Sequence, residues 1–328
     1  MKIQELQLTA FGHPAEVLKL HQRDLPEPGP GEVRVRVLAA VVNPADFNVI
    51  TGTYGILPPL PATAGAEGVG VVESVGADVD SALFAPGTRV IGPMRLGWWS
   101  GGFVEKAKRL IPINEPALSD EQATMLAVNP PTAYNMINDI VTLPEGGWLA
   151  QNAANSGVGR CVIQLAKAQG LRTINLVRRD ELVDELTAIG ADAVFTAESF
   201  SKDAVKEITG GAPVMLGLNA TSGKMLKLLG KCLSPSATIV TYGAMSREPF
   251  TLGNASLIFK DLRARGYWIS RWYQTTPPAQ IHALMQVLAK SELNVRVAAT
   301  YSLADWAKAL THAAGESRDG KILIRPSS

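Results

Sequence analysis

A chain of 328 residues in which 46% of the side chains are hydrophobic can bury a substantial core, and its length suggests two domains or one domain with an insertion. Its 31 basic and 30 acidic residues leave almost no net charge, which argues against nucleic acid or an anionic membrane as a partner. No apolar run is long enough to span a bilayer, and MKIQELQLTAFG enters a strand-like alternation at once; no signal or transit peptide is expected, and a cytoplasmic protein is.

The first part of the chain, to residue 127, reads as strands and turns. Glu32 to Val42 alternates and then becomes wholly apolar, as a strand does on passing from an edge into a core. Gly68 to Val75, Thr88 to Ile91 and Phe103 to Ala107 behave similarly, with proline and glycine clusters at Pro26 to Gly31 and Pro58 to Gly65 as loops. A helix over Asp46 to Ile50 with Asp46 as its cap is expected, and another helical pattern runs from Asp120 to Leu126.

Beyond Leu126 short apolar strands alternate with helices, which predicts a parallel sheet covered on both faces. The strands are Trp148 to Gln151, Thr173 to Val177, Ala193 to Phe195, Val214 to Leu218 and Thr238 to Thr241, with a last candidate at Gly266 to Ile269. The helices between them are Val158 to Ala168, Glu181 to Ile189, Ala204 to Ile208 and Lys224 to Cys232. Helical Pro278 to Leu288 and Leu303 to Ala314 and a strand at Lys321 to Ile324 have no place in a six-stranded nucleotide sheet and are assigned back to the first domain. The predicted division is therefore 1–127 with 270–328, and 128–269.

The most informative stretch is WLAQNAANSGVGRCVIQLAKAQGLRTINLVRR, from Trp148 to Arg179, a strand, turn, helix and strand. The small residues of its turn, among them Asn155, Ser156, Gly157, Val158 and Gly159, would let a pyrophosphate approach the backbone at a helix N-terminus, where unsatisfied N–H groups and the helix dipole favour an anion. The glycines form only part of the dinucleotide fingerprint. Arg178 and Arg179 end the second strand about 20 residues further on, where NAD-binding proteins place an acid on the ribose hydroxyl. A guanidinium there suits a 2′-phosphate and hence NADPH; the alternatives are a solvated strand end, or Asp180 or Glu181 serving NADH. Tyr242 and Gly243 follow a sheet strand, where an open α/β sheet places its ligand.

Two cysteines, Cys161 and Cys232, cannot form a four-cysteine zinc site, and His13, His21, His282 and His312 show no metal-ligand spacing. No metal is expected.

The order of these parts, with the segments from Asn43 to Gly76 and Ala127 to Ile137, the QNAANSGVG turn, and VTYGAMSREP followed by LIFKDLRARGYWISRW, resembles the medium-chain dehydrogenase/reductase superfamily, and within it trans-2-enoyl thioester reductases of the mitochondrial type and their bacterial relatives. The resemblance implies an α/β fold, a doubly wound Rossmann sheet domain joined to a β-rich GroES-like catalytic domain, and NADPH-dependent reduction of enoyl-CoA or enoyl-ACP in a homodimer. It also implies that the catalytic zinc of related alcohol dehydrogenases is lost, because Asn43-Pro44 and Gly65-Ala66-Glu67 stand where cysteine and histidine ligands would be. Glu67 then has a structural hydrogen-bonding role. Tyr54, in the glycine-flanked loop Gly52-Thr53-Tyr54-Gly55, matches the tyrosine to which that family assigns proton donation; a loop anchor is the alternative. Asn43 matches an asparagine near the nicotinamide, with a turn-forming residue before Pro44 as the alternative. Trp98, Trp99, Trp272 and Tyr273 are candidates for an acyl pocket or for the core. An NADPH:quinone reductase of the same fold and a non-catalytic NADPH-binding sensor are the competing functions.

Overall fold

The computed structural model describes residues 1–92, 97–315 and 319–326. The chain divides into two compact units, Met1–Val128 with Ser270–Ser328, and Asn129–Ile269.

The first unit is built on a seven-stranded sheet in which Glu32–Val41 is central, pairing antiparallel with Glu67–Val75, Gly102–Lys106 and Lys321–Arg325. The long alternation of Glu32–Val41 explains that position: Val33, Val35 and Val37 are buried, and the wholly apolar end, Ala39 to Val41, is buried on both faces. A three-stranded sheet, Lys2–Leu8 with Leu18–Asp24 and Ala62–Thr63, contributes Leu6 and Leu8 to the same core. Trp98 and Trp99 lie within it, Trp98 edge-to-face on Phe103 with ring centres 5.0 Å apart. The backbone must be glycine where it passes these indoles, since a Cβ on Gly65 would stand 2.5 Å from Trp99.

The C-terminal segments join this unit as expected. Lys321–Arg325 places Leu323 opposite Val41, and the Val297–Ser302 strand, which the sequence did not reveal, runs parallel beside it.

The second unit is a six-stranded, wholly parallel sheet. Numbered along the chain its strands lie in the order third, second, first, fourth, fifth, sixth, the doubly wound arrangement whose order reverses beside the first strand, Trp148–Asn152. The apolar positions of these strands follow from this: Trp148, Ala150, Ile174, Leu176 and Ile239 pack under Leu226 and Leu229 of the Gly223–Cys232 helix.

Two expectations are corrected. The last strand is Arg263–Gly266, and Ile269, expected in a strand, begins a helix that runs to Thr275; the true strand carries RARG and shows no apolar run, because it lies at the sheet edge with every residue exposed. The helix after Asn43 begins at Pro44, not at Asp46, because proline's missing N–H is harmless at the first helical position.

Candidate active site

In the second unit the turn after Trp148–Asn152 is shaped by its small residues. Ala153 takes a positive φ of 50°, and Ser156 caps the Gly157–Ala168 helix by accepting the Gly159 N–H at 3.1 Å. A Cβ on Gly159 would meet the Ala154 carbonyl oxygen at 2.5 Å, so the helix start can lie on the turn only with glycine there. The N–H groups of the first turn, at Gly157 and Val158, face outward by helix geometry.

A polar ladder that sequence reasoning missed holds this end of the sheet. Asn152 Nδ2 donates to Asn219 Oδ1 at 2.8 Å, Asn219 Nδ2 donates to Thr241 Oγ1 at 3.2 Å, and Asn152 Oδ1 accepts the Ala220 N–H at 2.7 Å. Next to it Gln151 Nε2 donates to the Gly159 carbonyl at 3.0 Å and to Asn175 Oδ1 at 2.8 Å. Buried amides of this kind are stable only when paired, and pairing fixes the strand ends against one another. The legible signal is a polar residue closing successive apolar strands, LAQN, LGLN and IVT.

Asn155, Ser156, Gly157, Val158, Gly159 and Tyr242 are brought together there. The Tyr242 hydroxyl is buried beside Ser156 without a well-formed hydrogen bond, and burial pushes the phenol above its usual range. Gly243 packs so closely that a Cβ would lie 2.8 Å from the Ala220 carbonyl oxygen. Arg178 and Arg179 are exposed just beyond the adjacent strand, Arg172–Leu176. A helix N-terminus, an unpartnered buried hydroxyl and two free-standing guanidinium side chains fit an anionic dinucleotide. Arg160, also missed, is buried and ties the turn to the next helix, donating to the Asn155 carbonyl at 3.2 Å and pairing with Glu185 at 2.6 Å.

In the first unit Tyr54 is half-buried in the loop after the Pro44–Ile50 helix. The N–H groups of Thr53 and Tyr54 both donate to the Asn48 carbonyl, at 2.8 and 3.1 Å. At the other end of that helix is Asn43, buried, with its carboxamide engaged on both sides: Nδ2 donates to Glu67 Oε2 at 2.7 Å and Oδ1 accepts from Lys321. Asn43 is also the N-cap residue of the Pro44–Ile50 helix, held inside the unit. Glu67 Oε1 accepts the Val128 N–H at 2.7 Å, the structural bonding expected of it. Asp46 does more than cap: its carboxyl accepts from the N–H groups of Asn43 at 2.7 Å and Ala66 at 3.0 Å. Burial pushes Asp46 up to about 6 and Glu67 up to about 7, against the lowering effect of their hydrogen bonds and of Lys321.

Where the zinc-dependent pattern would place its cysteine and histidine ligands stand Asn43-Pro44 and Ala66, beside Glu67, and the groups packed around them are the Asp46 carboxyl and the Lys321 ammonium. Without thiolate or imidazole, and with a cation already among the donors, the set does not fit zinc. Among the described residues no three His, Cys, Asp or Glu side chains gather as a metal-binding group, and Cys161 and Cys232 are buried free thiols.

The aromatic candidates separate. Trp98 and Trp99 have no exposed surface and belong to the core, which corrects their assignment to a pocket. Trp272 and Tyr273 are half-buried on the Ile269–Thr275 helix with ring centres 5.0 Å apart, and Tyr273 Oη donates to the Ala127 carbonyl at 2.7 Å.

Residues 29–108 match the alcohol dehydrogenase GroES-like domain, and residues 157–290 match the zinc-binding dehydrogenase family. The chain is 42% identical to the mitochondrial enoyl-[acyl-carrier-protein] reductase of Rattus norvegicus over 84% of its own length and 75% of the relative's. The human enzyme of the same name is 40% identical over 91% of this chain and 82% of the relative. Among solved structures, the Etr1p/NADP/crotonyl-CoA complex superposes with a TM-score of 0.90 at 27% identity, covering 99% of this chain and 100% of the other. A Bacillus thuringiensis protein named as an NADPH:quinone reductase gives 0.89 at 26% identity, covering 99% of each chain.

Proposed function

The chain belongs to the mitochondrial-type enoyl-[acyl-carrier-protein] reductases of the medium-chain dehydrogenase/reductase superfamily, and from that premise we propose that it reduces the 2,3 double bond of trans-2-enoyl thioesters with NADPH. NADPH, when bound, supplies the hydride that the β-carbon requires. The chain's own residues have the other tasks. Ser156 to Gly159 and Tyr242 hold the pyrophosphate end of the cofactor, and Arg178 and Arg179 select its 2′-phosphate. Tyr54 gives its phenolic proton to the α-carbon as negative charge moves toward the thioester oxygen. The second unit is accordingly the dinucleotide-binding domain and the first the catalytic one.

The observation that carries this reading is a half-buried Tyr54, in a loop whose backbone N–H groups are held by the Asn48 carbonyl, together with the absence of thiolate and imidazole around Asn43 and Glu67. Polarisation of the thioester then falls to hydrogen-bond donors. The second reading, reduction of a quinone, is favoured by the Bacillus thuringiensis neighbour; it needs a hydride but no carbon acid. NADPH consumption by the purified chain with a short and a medium trans-2-enoyl-CoA and with a simple quinone separates the two. Preference for the thioesters supports the first reading, and turnover of the quinone alone replaces it with the second.

A homodimer is proposed from the edge strand Arg263–Gly266. It is paired on one side only, and Leu257, Ile258 and Phe259 before it are exposed by 44%, 70% and 82%. Sedimentation reads out the state, and a monomer with full activity would discard it. No helix among the described residues is long and apolar enough to cross a membrane. Cytoplasmic residence stays a proposal beside the mitochondrial names of the relatives, and cell fractionation decides it.

A further inference from the structure

An ammonium and two carboxyl groups taken out of water destabilise a fold unless each finds a partner. Lys321, Asp46 and Glu67 are nonetheless all buried in the first unit, and Asn43 joins them. The Asn43 carboxamide donates from Nδ2 to Glu67 Oε2 at 2.7 Å and accepts at Oδ1 from Lys321 Nζ at 2.5 Å. An ammonium can only donate, and the Glu67 oxygen here accepts, so turning the amide over would set like groups against like on both sides. The Asn43 N–H is held by Asp46 in the same cluster. Both carboxyls feel the charge of Lys321.

The residue fixed in this way is the cap of the Pro44–Ile50 helix. Seven residues of helix span about 10 Å, and at the far end the Asn48 carbonyl holds the N–H groups of Thr53 and Tyr54. Lys321 comes from a part of the chain remote in sequence, as the first residue of the strand that pairs with Glu32–Val41. Its own backbone is well anchored: the Lys321 N–H donates to the Arg296 carbonyl at 2.8 Å, and Gly320 before it has a φ of 134° with the Arg296 carbonyl oxygen 2.6 Å from where a Cβ would stand.

We propose that Lys321 is a positioning residue for proton delivery: by gripping Asn43 against Glu67 it fixes the Pro44–Ile50 helix and so sets where the following loop presents the Tyr54 hydroxyl. This rests on the reading of Tyr54 as the proton donor. Lysine suits the task because a compact ammonium on a flexible stem reaches a buried carbonyl oxygen that the broad planar guanidinium of arginine would overfill.

The test is a double-mutant cycle in the full chain with Lys321→Met, Lys321→Arg and Tyr54→Phe, read by turnover of crotonyl-CoA and by NADPH affinity. Lys321→Met is expected to lower kcat on the order of 10- to 100-fold with NADPH affinity unchanged, and Lys321→Arg to recover part of the loss. In the Tyr54→Phe background the same change is expected to cost no more than about threefold, since residues that act as one unit are not additive. Equal losses in both backgrounds would overturn the proposal. Amide exchange supplies a readout independent of Tyr54: Lys321→Met should speed exchange in peptides covering residues 44–55 and leave those of the second unit unchanged. If Tyr54→Phe keeps full kcat, the donor reading fails, and selective exchange in 44–55 would still support the hold of Lys321 on the helix. Unchanged exchange there, or a rise spread over the whole chain, would overturn that hold. Should Lys321→Met fail to fold, Glu67→Gln, which keeps the shape and removes the charge, takes its place in the same cycle with the same expected non-additivity.

Discussion

At the scale of single residues, the proposed activity and the fold's pH dependence rest on groups that keep or give protons. Tyr54→Phe removes one oxygen and leaves the loop's backbone bonds to Asn48 in place. It is predicted to lower kcat on an enoyl-CoA by on the order of 10² to 10⁴ without changing NADPH affinity, and steady-state kinetics with cofactor titration checks it. Arg178→Ala is predicted to weaken NADPH binding and leave NADH nearly unchanged, because the guanidinium's partner would be the 2′-phosphate; equal loss of both would make Arg178 a support of the fold. The buried acids give a pH dependence with a definite sign. Their folded values, about 6 for Asp46 and about 7 for Glu67, lie above the ordinary 3.8 and 4.5. The stability they contribute is therefore fully present below the ordinary values and lost as pH rises through the folded ones. Glu67→Gln is predicted to flatten the decline in melting temperature between about pH 4.5 and 7, and an unaltered slope would remove Glu67 from the titration. Gly159 and Ser156 are legible as a tight helix start because they sit in a local pattern, whereas Tyr54 stands out through the resemblance of its glycine-flanked loop to the family's. Lys321 is not legible, because its partners Asn43 and Glu67 lie more than two hundred residues away along the chain, and only the pairing of Lys321–Arg325 with Glu32–Val41 brings them together.

At the scale of elements, the Gly157–Ala168 helix depends on its first turn. Ser156→Ala removes the oxygen that accepts the Gly159 N–H and is predicted to reduce stability by about 1 kcal/mol, measured by denaturant unfolding, with weaker NADPH binding from a looser helix start. An unchanged unfolding midpoint would mean that the Gln151 and Asn175 bonds hold the turn without the cap. The strands Ala193–Phe195 and Thr238–Thr241 are readable to the residue, since each carries a short apolar run bounded by helical or turn segments. Arg263–Gly266 was not, because an edge strand needs no apolar face. Val297–Ser302 was missed for a related reason: its half-buried VAATYS carries neither a clean alternation nor a continuous apolar run. The tryptophan pair shows the limit of composition as a guide, since a buried core indole and a pocket indole have the same sequence signature until Gly65 and Gly68 are seen packed against it.

At the scale of the whole molecule, there are two units, one with an ordered sheet end suited to an anionic dinucleotide, the other with a phenol in the loop that follows a helix anchored by buried charges. The most direct test of the central claim follows the two hydrogens added to crotonyl-CoA. With NADPH deuterated at the transferable position the product is predicted to carry deuterium at the β-carbon, and with ordinary NADPH in heavy water at the α-carbon. Cofactor oxidised against a quinone while crotonyl-CoA is recovered unlabelled would contradict the account.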